Sequence, residues 1–151
     1  MKKFFLLCFI SSLFSAHGFS AVVLTESFNY SDGALITVSG GKWVHHSGST
    51  TGELNVASAR VFVTSSEGED VNASLQNGPY TTGSGVYLYA SFTVNFSSLP
   101  TGTGTYFAHF KDSTTSGFRC RIFGTTNGAP SGMFRIGIGN AASAANVILG
   151  D

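Results

Sequence analysis

The 151-residue chain balances eight Lys/Arg against eight Asp/Glu, and only 11% of its residues are charged. It has no basic stripe or Lys/Arg run, so a nucleic-acid partner lacks its usual electrostatic footprint. Nineteen glycines among 13% aromatics, with few Ala/Leu/Glu/Lys runs, exclude an architecture of long helices and select an all-β sandwich or barrel.

The first element is a secretory signal over 1–18. Lys2 and Lys3 precede the apolar run FFLLCFISSLF, and Ala16 and Gly18 stand at the −3/−1 spacing of a cleavage site, with Ala21 the second choice. The run is too short for a transmembrane span, so a secreted or cell-surface chain with no membrane span is expected. Cleavage leaves 19–151 with six Lys/Arg against eight Asp/Glu, a net charge of −2. It also removes Cys8, so Cys120 has no intramolecular disulfide partner and stability rests on a packed core. About 130 residues suffice for one such domain.

Strands are expected at 22–28, 42–45, 53–56 and 60–63. The stretch 65–72, SSEGEDVN, holds three of the eight acidic residues. It reads as a turn before 71–75, with Asp70 and Asn72 bonding backbone amides. A hard cation such as Ca²⁺ is the second option there, with Glu69, Asp70 and Asn72 as oxygen ligands. The run 86–96, VYLYASFTVNF, alternates with period two. That sets Leu88, Phe92 and Phe96 on one face and Tyr87 and Tyr89 on the other. The same rule sets Tyr106, Ala108 and Phe110 against Phe107, His109 and Lys111. It also sets Phe118, Cys120 and Ile122 against Arg119, Arg121 and Phe123, and Phe134 and Ile136 against Arg135. Buried positions are expected at Phe92, Phe96, Tyr106, Phe110, Phe118, Phe134 and Ile136, with Cys120 a small core residue. Gly/Ser/Thr clusters between the runs fit hairpins or a meander. At 144–149, AANVIL starts a further strand close to the last residue, as in a sandwich incomplete at its C-terminus.

The stretch ESFNYSDGALITVSGGKWVHHSG, with F-x-Y-x-x-G-x-L and Gly-Gly-x-Trp, followed by EDVNASL and TYFAHFKD, resembles the concanavalin A-like lectin/glucanase (laminin-G-like) domains of secreted bacterial surface proteins. The resemblance covers about 26–151. It implies an antiparallel two-sheet β-sandwich, a jelly roll, with a glycan-binding or adhesive role. Glucanases of that family carry E-x-D-x-x-E on a strand, where alternation aims the acids at one sugar. Here Glu67 and Glu69 keep an i, i+2 relation, but no third carboxylate follows and position 72 is Asn.

Other chemistry is absent from the sequence. His45 and His46 are adjacent and on a strand point to opposite faces. No Cys/His zinc spacing and no G-x-S-x-G elbow occurs. GIGNAA at 137–142 matches G-x-G-x-x-A without the βαβ unit that the mechanism needs. The positive signal is aromatic and cationic. With the middle strands as neighbours, Tyr87, Tyr89, Phe107, His109, Arg119, Arg121 and Arg135 share one surface. There, rings meet sugar C–H groups, and Arg and His donate to hydroxyls or acidic sugars. Ordinary outer-face pairing, including Arg stacked on Tyr, is the competing reading. The expectation is a non-catalytic module that binds glycans or surface polysaccharide and has no resident cofactor. A purely structural stalk module and a glucanase-like hydrolase are the alternatives.

Overall fold

The computed structural model describes residues 20–49, 52–64, 67–114, 116–140 and 144–149. The signal assigned to 1–18 lies outside them. The described chain is almost wholly β, and every strand pairing is antiparallel.

A first sheet joins β1 (Gly33–Ala34), β3 (Asn55–Ala57) and β4 (Arg60–Phe62) in the order β1-β3-β4. One helical turn, α1 (Leu35–Val38), follows β1 directly. Leu35, Leu54 and Val56 are buried together, with Phe28, Tyr30, Val38, Trp43, Val61 and Val71 packed around them. The β3–β4 hairpin turns through Ser58 (φ 51) and Ala59 (φ 56), both left-handed. A two-residue turn of this hand matches strand twist but normally recruits Asn or Gly. Here Asp32 accepts the Ser58 amide at 3.0 Å and ties the turn down.

A second sheet pairs β2 (Val44–Gly48) with β5 (Glu69–Asn72). A third runs β6-β7-β8-β9, from β6 (Thr105–Lys111) through β7 (Phe118–Thr125) and β8 (Arg135–Gly139) to β9 (Val147–Ile148). Phe123, on the central strand β7, is fully buried, with Tyr106 and Gly137 as its cross-strand partners.

Several expectations change here. The stretch 22–28 forms no strand; Val23 only accepts one amide bond, from Gln76. Glu69 and Asp70 belong to β5, not to a turn, because their backbones pair with Gly48 and Ser47. The stretch 86–96 forms no hydrogen-bonded strand, although its phase is kept in part. Phe92 and Phe96 set their rings edge-on to Phe107 at 5.7 and 5.9 Å, and Phe96 meets Phe134 at 4.4 Å. Phe96 also crosses Gly124 so closely that a Cβ there would lie 2.5 Å from its ring. Glycine is therefore required at 124 for this segment to lie against the sheet.

The strict alternation of β6 and β7 fails at two irregularities, between Tyr106 and Ala108 and between Ala108 and Phe110. Opposite the second, Cys120 has φ 50 and is exposed instead of lying in the core. An extra residue in a strand shifts the phase of everything beyond it. Phe118 consequently shares a face with Arg121, whose guanidinium lies 4.5 Å from its ring. Arg121, expected outside, is only 6% exposed.

Candidate functional site

Tyr87 and Tyr89 stand out among the sequence candidates. Their exposures are 82% and 90%, while Leu88 between them is half-buried. Downstream, the Phe92 and Phe96 contacts fasten the same segment to the β6 to β9 sheet. Two phenol rings thus project from a stretch held by its apolar neighbours.

The other candidates separate. Phe107 turns toward Phe92 and Phe96. Arg119 is exposed and faces Asp112 at 3.6 Å. Arg135, on β8, reaches across Gly128 in the preceding turn. His109 and Arg121 point into a layer that meets β2. In that layer the His109 ring lies 4.6 Å from Phe118 and 5.8 Å from Tyr106. Arg121 lies over both Tyr106 and Phe118, and donates from Nη1 to the Asn140 carbonyl. The seven candidates therefore do not form one surface, because the β6 and β7 irregularities divide them.

β2 supplies the facing residue. The His46 ring stands edge-on to His109 at 6.0 Å and 5.8 Å from Phe118. Ser47 Oγ donates to Asp70 Oδ2 at 2.9 Å and contacts His46 Nδ1 at 2.9 Å. With the hydroxyl proton committed to the carboxylate, Nδ1 is the donor of that second bond. The far nitrogen, Nε2, is then a bare acceptor, and it is buried without a partner. Burial lowers the pKa of His46, helped by Lys111 and His109 and opposed by Asp70. Burial also lowers that of His109, against a backbone bond at Phe110 and the charge of Asp70.

The acidic residues of 67–72 each hold backbone or a neighbour. Glu67 accepts the Thr64 amide at 2.5 Å, and its bonds to Thr64 lower its pKa. Glu69, fully buried, accepts the Leu54 amide at 3.0 Å and faces His45 Nδ1 at 3.4 Å. Asp70 points the other way, to Ser47. Successive strand residues face opposite sides, so Glu69 and Asp70 cannot converge on one ion as the calcium option requires. Among the described residues, no group of three or more His, Cys, Asp or Glu side chains is placed to hold a metal.

The sequence reading missed Glu26. Its carboxylate accepts the Phe28 amide (2.6 Å), the Tyr30 hydroxyl (2.8 Å) and Trp43 Nε1 (2.8 Å), with Lys42 Nζ at 3.0 Å. Burial raises its pKa, but the bonds from Trp43, Phe28, Tyr30 and Lys42 outweigh this and bring it down to about 2. The available signal was the place of Glu26 two residues before the F-x-Y pattern; its Trp43 partner lies 17 residues further on. A hollow of about 360 Å³ beside it is lined by 22–25, Lys42, Ser74 and Gln76. Lys42 there is already engaged by Glu26 and the Thr25 carbonyl.

No family model, curated protein or solved structure matches the chain.

Proposed function

We propose that the chain is an exported, non-catalytic module that binds carbohydrate or adheres to a surface, built on a concanavalin-like β-sandwich. The observation that carries this reading is the pair of exposed rings at Tyr87 and Tyr89. Large aromatic faces left in water suit ligands that present both C–H groups and hydroxyls, since the ring takes the first and the phenol the second. Exposed aromatics on a segment anchored elsewhere are also economical for binding, because little order has to be imposed on association. The engagement of Glu67, Glu69 and Asp70 within the fold supports a binding role over glycoside hydrolysis. The sheet surface first drawn from seven residues reduces in this reading to the two tyrosines.

A glycan array tests it, followed by titration of the best ligand. Tyr87→Ala and Tyr89→Ala should each weaken binding about tenfold or more. The melting temperature should stay within about 2 °C, because surface truncations change stability by about 0.5 kcal/mol. Retention of full affinity in the double variant refutes the assignment. Turnover of β-glucans abolished by Glu67→Gln/Glu69→Gln would establish the hydrolase instead. A chain that binds no glycan is left with a structural role.

A further inference from the structure

The layer between β2 and the β6 to β9 sheet is built unlike an ordinary core. His46 from one sheet and His109 from the other meet at 6.0 Å, with Phe118, Tyr106 and Arg121 around them. Among the described residues, His46 supplies the ring contacts between these two sheets, to His109 and to Phe118. The guanidinium of Arg121 is a permanent charge in this layer, and its Nε is buried without a partner. The other groups that act on the pair are Lys111 on β6 and Asp70 on β5, with the Tyr106 phenol against His109. Asp70 is the single acid among them, and it already accepts a bond from Ser47.

We propose that His46 and His109 form an acid-sensitive latch, closed while both rings are neutral and opened when protonation adds two cations beside Arg121 and Lys111. Neutral rings pack edge to face as largely apolar surfaces. Imidazolium rings in the same place would need hydration and would repel one another across the 6.0 Å contact. Asp70 is one carboxylate against up to four cations.

The sign follows from proton counting. Both histidines hold their protons less readily in the closed form, where burial lowers their pKa values. The opened form therefore binds more protons, and closure is favoured above pH 6.5, the ordinary histidine value. It weakens as pH falls from 6.5 through the lowered values, with the opening constant rising up to about tenfold per pH unit for each proton taken up. The carboxylates act later, at lower pH.

Two measurements on the whole chain test this. In the first, NMR titration of the imidazole protons should place both His46 and His109 below 6.5; ordinary or raised values for either overturn the latch. In the second, hydroxyl-radical footprinting from pH 7 to 5 reads side-chain exposure. Labelling of Tyr106 and Phe118 should rise severalfold while that of Trp43, Leu54 and Val56 stays constant. A flat profile at Tyr106 and Phe118 overturns the proposal. So does a parallel rise at all five residues, since that is global unfolding. His46→Phe/His109→Phe keeps two rings that cannot ionise and should abolish the pH dependence. If that variant does not fold, the wild-type titration and footprint still decide, and His46→Gln should reduce the slope by about half.

Discussion

Phe123→Ala should lower stability by about 3–5 kcal/mol, seen as a fall in the urea midpoint with an unchanged slope. The side chain is 0% exposed and sits on β7, with β6 on one side and β8 on the other. Tyr106 meets it edge-on at 5.9 Å, and its β8 partner is Gly137, which has no side chain to move into the vacated space. A cavity there stays open, which is the costly case for truncation. Phe92→Ala is the informative contrast. Phe92 is 49% exposed, so roughly half its surface has nothing to lose, and about 1 kcal/mol is expected. Equal losses in the two variants would show that the buried face of β7 is assigned the wrong way round.

Glu26→Gln should cost about 2 kcal/mol and remove an acid transition. Four donors converge on this carboxylate, whose side chain is 11% exposed. Its pKa falls from 4.5 to about 2, which corresponds to roughly 3 kcal/mol at most. Water that reaches the half-exposed Lys42 screens part of this, so about 2 kcal/mol is the better figure. A depressed carboxylate pKa means that the unfolded chain binds the proton more readily. The stabilisation is therefore complete above pH 4.5 and disappears as pH falls from there through 2. Wild type should lose stability across that window, whereas the Gln variant should show a shallower slope. Trp43 fluorescence reports on the change, because its Nε1 donates to the same carboxylate. Identical slopes would place the stabilisation elsewhere.

The strand content from β6 onward was legible because period-two runs and Gly-rich turns are local signals, whereas the equally periodic 86–96 forms no strand. The alternating runs expected at 106–111, at 118–123 and around Phe134 to Ile136 overlap β6, β7 and β8. Which face each residue takes was legible only as far as the first irregularity. Phase counting put Arg121 and Phe123 together correctly, but it placed their face outside, where the structure buries both. Nothing in the composition of YFAHFK or FRCRIF announces a bulge, since the extra residue is set by pairing with another strand. Long-range partners were equally hidden. Glu69 looked like a turn acid until β2 paired with it and the Leu54 amide came within reach. The strands expected at 53–56 and 60–63 overlap β3 and β4, and only the tight turn at Ser58 and Ala59 between them was hidden, because the usual Asn-Gly signature is absent. The exposure of Tyr87 and Tyr89 was legible because aromatics at alternate positions need only local phase, even where no strand forms.

Cys120 illustrates how a residue can matter through its presence and not its chemistry. It sits at φ 50 with an exposed thiol, and its amide donates to Asn140 Oδ1 at 3.0 Å. Its contribution is length: it is the spacer that lets Phe118 and Arg121, three positions apart, lie on one face. Replacement by Gly or Asn, which accept this backbone angle readily, should be neutral or mildly stabilising. Deletion of the same residue should be among the most damaging changes to the chain, since it would turn Phe118 away from His46 and His109. A screen that only exchanges side chains would score this position as dispensable; one that removes residues would score it as essential.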